Sequence, residues 1–191
     1  PELAQQDRWV CWRYELVDGR INKVPKNPRS LNNAATNRPS TWGSLDAALT
    51  RYDGSKTLSG IGFNQHGTDY SGTDLDDCVD DAGNLSPLAW RIVKRFNTYT
   101  EYSPSTHGVR MFGKGRKPGK RERINSFPDV ELYDGDSTRY LTFTGNHVPG
   151  TPLDINDVTE PLAELYAEMF GADADAAPPT PPTPAQPVNL D

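Results

Sequence analysis

The sequence lacks any long hydrophobic run: no stretch approaches the length of a bilayer crossing, and no secretory leader pattern opens it. Both point away from a membrane and toward a cytoplasmic protein. Sulfur is scarce too. The two cysteines, Cys11 and Cys78, stand far apart and fit no metal-ligand spacing, so they read as reduced thiols in a reducing compartment. Basic residues are missing from Pro152 onward, where eight acids occur without a Lys or Arg. Without that segment, 20 basic residues face 18 acidic ones, a net of +2 against −6 for the whole 191-residue chain. The overall acidity therefore does not exclude a polyanionic partner. Aromatic residues are plentiful, with four Trp, eight Tyr and six Phe, enough to build the core of one good domain, perhaps of two lobes.

Alternation of apolar and polar residues predicts strands over 8–14, 21–25, 60–64, 73–76, 99–102, 109–112, 129–133 and 139–144, the first two joined by a turn at Val17–Arg20. Helical spacing predicts three helices. One is capped by Ser40 or Thr41, with Trp42, Leu45, Leu49 and Tyr52 on its core face. A second starts at Ser86-Pro87 and buries Leu88, Ala89, Ile92, Val93 and Phe96. The third is capped by Thr159 and stops at Gly171. Beyond Ala172 the chain is rich in Ala and Asp and then Pro and Thr, a composition that cannot pack. Residues 173–191 are expected to be a linker or tail.

The strand end Thr73-Asp-Leu-Asp76 puts Asp74 and Asp76 on one face, about 7 Å apart. Such a pair is either simply solvated or shares a hard divalent cation, Mg²⁺ or Mn²⁺. Between Arg110 and Arg123 seven Lys and Arg face the single Glu122, and a smaller polar loop carries Lys23, Lys26 and Arg29. Both segments read as solvated charge or as phosphate contacts.

Taken in order, "TDLDDCVDDAGNLSPLAWRIVKRFNTYTEYSPS", "VELYDGDSTRYLTFTGN" and "DRWVCWRYELVDGRINKVPKNP" resemble the archaeo-eukaryotic primase superfamily, in particular primase-polymerases of phages and plasmids. The resemblance spans about 7–150. It implies an α+β fold with an RRM-like catalytic sheet and a smaller N-terminal α/β lobe, the lobes dividing near residue 60 and the catalytic domain ending near 172. It also implies template-dependent nucleotidyl transfer by two metal ions, Mg²⁺ or Mn²⁺, held by Asp74, Asp76 and Glu131. The implied partners are single-stranded DNA template and primer, NTP or dNTP, and a C-terminal helicase domain in a longer polypeptide, within a bacterial or archaeal host cell.

Ser105, His107, Arg110, Arg139 and Tyr140 are then expected at the nucleotide. Lys23, Lys26, Lys114, Arg116, Lys117, Lys120 and Arg121 are expected at DNA. One motif departs from the family pattern, which is commonly S-P-S-G-x-G-x-H: here Thr106 replaces a glycine and Arg110 stands where the histidine falls. An arginine there can hold phosphate bidentately but does not titrate. Two other readings remain open at this stage, a D-x-D nucleotide-sugar transferase and a non-catalytic single-strand-binding domain.

Overall fold

The computed structural model describes residues 2–127 and 129–171; the expected Pro-rich tail lies outside the described residues. β1 (Trp9–Val17) and β2 (Arg20–Lys26) form the expected hairpin. Its turn residues Asp18 and Gly19 take φ of 51° and 76°, the left-handed pair that a two-residue turn requires. β3 (Gly60–Asn64) pairs with β1, and β8 (Tyr140–Phe143) arrives from the other end of the chain to pair with β3. The first sheet, β2-β1-β3-β8, is therefore not contiguous in sequence.

In the second sheet, β4 (Tyr70–Leu75) lies between β6 (Val109–Lys114) and β7 (Val130–Tyr133), with β5 (Thr100–Tyr102) outside β6. All strand pairs named are antiparallel, so the architecture is mixed α+β. Helix α2 (Pro87–Phe96) crosses from β4 to β5 and leaves β6 to fill the gap. This split β-α-β unit is compatible with the RRM-like sheet expected from the sequence.

Two cores follow from strand alternation. Leu75, Val109, Met111, Val130 and Leu132 pack under α2 and under α3 (Thr159–Phe170). Ile92, Leu132, Leu162 and Leu165 are fully buried, each contributing about 2 kcal/mol of transfer free energy. Alternate residues of the same strands, including Gly72, Asp74, Arg110 and Glu131, must take the opposite face. On that side Phe112 and Tyr133 join Trp9, Cys11, Ile61, Phe63 and Leu141 in the second core, which also holds Ala48 of α1 (Leu45–Asp53). Leu141 lies where a Cβ on Gly72 would stand, so only glycine allows this approach of the two sheets.

Helix boundaries match best at α2, where Ser86 Oγ accepts from Ala89 N–H at 3.3 Å and Pro87 is the first helical residue. Three expectations need correction. α1 is capped by Ser44, whose Oγ accepts from Ala47 N–H at 3.2 Å; Ser40 and Thr41 belong to a separate 3-10 turn begun by Pro39. α3 starts at Thr159 with Val158 at the N-cap position, so Thr159 is the first helical residue rather than the cap; its N–H donates to Asp157 Oδ1 at 2.8 Å. Leu88, Leu49 and Tyr52 are exposed rather than core, and the last two border an apolar groove with Trp9, Trp12 and Phe143.

Candidate active site

Strand pairing writes a row of charge across the second sheet. Glu101 stands opposite Arg110, Arg110 opposite Asp74, and Asp74 opposite Glu131, one residue per strand. Directly paired residues share a face, so all four side chains rise from the same side. Asp76 lies one step beyond β4, on the same side by alternation, and its N–H donates to the Asp129 carbonyl at 2.8 Å.

Arg110 is buried and almost fully committed. Its Nε and Nη2 grip both oxygens of Asp74, the latter at 2.7 Å, while Nη1 donates to the Thr142 carbonyl at 2.7 Å and to Thr142 Oγ1. The guanidinium expected at a phosphate is here the counter-ion of Asp74 and links β4, β6 and β8. Glu101 is wholly buried and accepts from Thr144 N–H at 2.8 Å, Gly145 N–H at 2.9 Å and Tyr99 Oη at 3.1 Å. Burial raises its pKa, and the two backbone N–H groups oppose that rise. Glu131 is half-buried, accepts from the Tyr133 hydroxyl and lies 3.5 Å from Arg123. Asp76 is exposed at the surface of the chain, yet the desolvation of its carboxyl raises its pKa, with the charges of Asp74 and Glu131 adding to the rise.

Facing this row is the polar side of the first sheet, and between them lies a cleft of about 380 Å³. Asp74, Arg110 and Glu131 line one wall, and Lys23, Arg139 and Tyr140 line the other. Lys23 is half-buried; burial lowers its pKa, Arg110 acts in the same direction, and Asp74 and Asp76 oppose. The Tyr140 hydroxyl donates to the Lys23 carbonyl at 2.8 Å. Arg139 is exposed, its guanidinium 6.0 Å from the centre of the Tyr133 ring.

Ser105 and His107 are not brought into this cleft; both lie on an exposed turn. That turn sits against the end of β4: Cys78 and Val79 donate to the His107 carbonyl at 2.8 and 3.0 Å, and a Cβ on Gly108 would strike the Leu75 carbonyl. Thr106 takes φ +65°, the left-handed conformation that a glycine would favour at that point.

The basic residues expected at DNA separate into groups. Lys26 is buried, 2.7 Å from Glu15, and Lys117 is buried, 3.5 Å from Asp134, so both ammonium groups face carboxylates inside the chain. Lys114 pairs with Glu2 at 2.8 Å and Arg116 with Asp136 at 2.7 Å. Lys120 is exposed, and Arg121, also exposed, lies 5.9 Å from the Phe170 ring.

Sequence reading missed Glu101, Tyr133 and Thr142 as partners in this network. Tyr133 and Thr142 left a signal, by sharing the faces of Glu131 on β7 and Tyr140 on β8.

The donor chemistry fits a hard divalent cation. Asp74, Asp76 and Glu131 are oxygen donors on one side of the sheet; desolvation raises the Asp76 pKa first, and the charges of Asp74 and Glu131 add to that rise. Arg110 and Tyr133 leave further lone pairs free on Asp74 and Glu131. Among the described residues no three acidic, His or Cys side chains are placed to hold a metal ion together, so an ion at these carboxylates would take most of its shell from water or ligand oxygens.

An α+β frame that presents carboxylates and cations across one cleft suits a phosphate-bearing ligand. No family model matches the chain. In sequence it is similar to a DNA primase-polymerase of Nitratiruptor phage NrS-1, 30% identical over an alignment of 174 residues that covers 87% of this chain and 23% of that protein. The similarity supports a primase-polymerase relationship, and the chain spans about a quarter of the relative's length. No helix among the described residues is long and apolar enough to cross a membrane.

Proposed function

We propose that the chain is the nucleotidyl-transfer part of a primase-polymerase with the archaeo-eukaryotic primase fold, extending or starting strands on single-stranded or primed DNA from NTPs or dNTPs in phage or plasmid replication. The observation that carries this reading is Glu131 standing directly opposite Asp74, with Asp76 one step on, across a cleft from cations. Mg²⁺ or Mn²⁺ bound at these carboxylates would promote loss of the proton from a 3′-hydroxyl and neutralise the charge of the departing pyrophosphate. Arg110 holds the Asp74 carboxylate in a fixed orientation. Arg139, exposed at the cleft mouth, contacts the triphosphate, and the Tyr140 ring forms part of the wall beside it. Lys120 and Arg121, with Lys114 and Arg116 once their surface ion pairs exchange, neutralise template phosphates.

Incubation with labelled dNTP, primed template and Mn²⁺ tests the reading. The protein should lengthen the primer, and Asp74→Ala with Asp76→Ala should abolish extension while leaving DNA affinity within about twofold. Wild-type protein that binds DNA but never extends it would be a binding domain instead.

A further inference from the structure

We infer that Lys23 is the cation that grips the phosphate tail of the incoming nucleoside triphosphate, and that Tyr140 is the residue that positions it. This rests on the nucleotidyl-transfer reading and moves Lys23 from the DNA contacts expected of it to the substrate.

Place is the first ground. Lys23 sits on β2, at the edge of the first sheet, yet it lines the cleft opposite Asp74 and Glu131 and lies within the electrostatic reach of Asp74, Asp76 and Arg110. A cleft of about 380 Å³ matches a small-molecule site. It admits the tail of one nucleotide more readily than the backbone of a strand.

Availability is the second. Arg110 is bound to Asp74, Lys26 to Glu15, Lys117 to Asp134 and Lys114 to Glu2. Among the described residues the Lys23 ammonium has neither ion pair nor hydrogen bond, only the Trp12 ring with its centre 5.9 Å away. A half-buried ammonium that has given up water without gaining a carboxylate is stabilised by an anion that enters the cleft.

The third is that its position is built. The Tyr140 hydroxyl crosses to the Lys23 carbonyl at 2.8 Å, its ring lies over Gly62, where a Cβ would clash, and Lys23 is held in register opposite Tyr14. A bound triphosphate would therefore touch both sheets: the acids from one, Lys23 and Arg139 from the other.

The test uses the full chain with Mn²⁺ and measures equilibrium binding of dATP and of inorganic tripolyphosphate by calorimetry. Variants are Lys23→Met, which keeps the apolar stem, together with Lys23→Arg and Tyr140→Phe, each checked for an unchanged melting transition. Lys23→Met should weaken both ligands by about tenfold or more, the range of a charge-assisted contact. In extension assays it should raise KM for dATP more than it lowers kcat. Lys23→Arg should recover part of the affinity, and Tyr140→Phe should raise KM by a smaller factor with kcat unchanged. Single-stranded DNA affinity should not move. Lys23→Met and Lys23→Arg proteins that both bind dATP like wild type, or that lose DNA affinity instead, overturn the assignment while an active wild type keeps the nucleotidyl-transfer reading. A wild type that neither binds dATP nor extends a primer overturns both.

Discussion

Two regions of this molecule carry positive charge in opposite ways. The segment from Arg110 to Arg123 holds seven Lys and Arg, whereas the cleft receives from the first sheet only Lys23 and Arg139. In the dense region Arg110, Lys114, Arg116, Lys117 and Arg123 each have a carboxylate partner within the chain. In the sparse one, among the described residues, neither cation has an ion pair. Positive residues packed along a sequence mostly neutralise the protein's own acids, while a few placed by folding remain open to a ligand. Charge density in a sequence therefore measures a local potential poorly.

That contrast can be broken or sharpened by experiment. The largest effect belongs to the acids that the cleft cations face. Asp74→Ala should lower primer extension by about a thousandfold or more, since several kcal/mol of transition-state stabilisation go with the ion it would hold; retained extension would remove the site from the cleft altogether. Next comes Lys117→Ala. It leaves Asp134 buried without its ion pair and should cost about 3 kcal/mol of unfolding free energy, read from denaturant melts, with no change in the salt dependence of DNA binding. An altered salt slope would return Lys117 to the DNA face.

A smaller loss, about 1 kcal/mol, is expected for Ser86→Ala, which removes the cap of α2 far from both regions and calibrates the stability scale. Lys120→Ala should leave stability untouched and reduce the salt slope of DNA binding by about one phosphate contact. The pH dependence sharpens the picture of buried charge at Glu101. Its folded pKa is raised, so its contribution to stability is complete below the ordinary Glu value of about 4.3 and is lost as pH rises through the folded pKa. Melts of the wild type should decline across that range relative to Glu101→Gln, whose slope should be flatter.

Much of the frame was legible in the residues. The β1–β2 hairpin followed from alternation around an Asp-Gly turn, and α2 from Ser-Pro at its start and an apolar stripe, because these signals are local. The D-x-D pair lay on one face because a strand has period two, and the same rule set Glu131 apart from Val130 and Leu132. What resisted reading was everything fixed by distant pairing. Nothing near residue 140 announces that β8 completes a sheet begun at residue 9. Glu101 looks like an ordinary strand acid until Arg110 is set beside it and two backbone N–H groups close over it. The cap of α1 at Ser44 was missed because several polar residues in that segment could serve, and tertiary packing chose among them.

The Arg110 guanidinium does more than balance one carboxylate. It holds Asp74 on β4 and Thr142 on β8 at once, and β8 leads back to Tyr140, whose hydroxyl donates to the Lys23 carbonyl. The two walls are thus joined by hydrogen bonds and the β8 backbone, and a substitution at Arg110 would remove a link between the sheets as well as a charge.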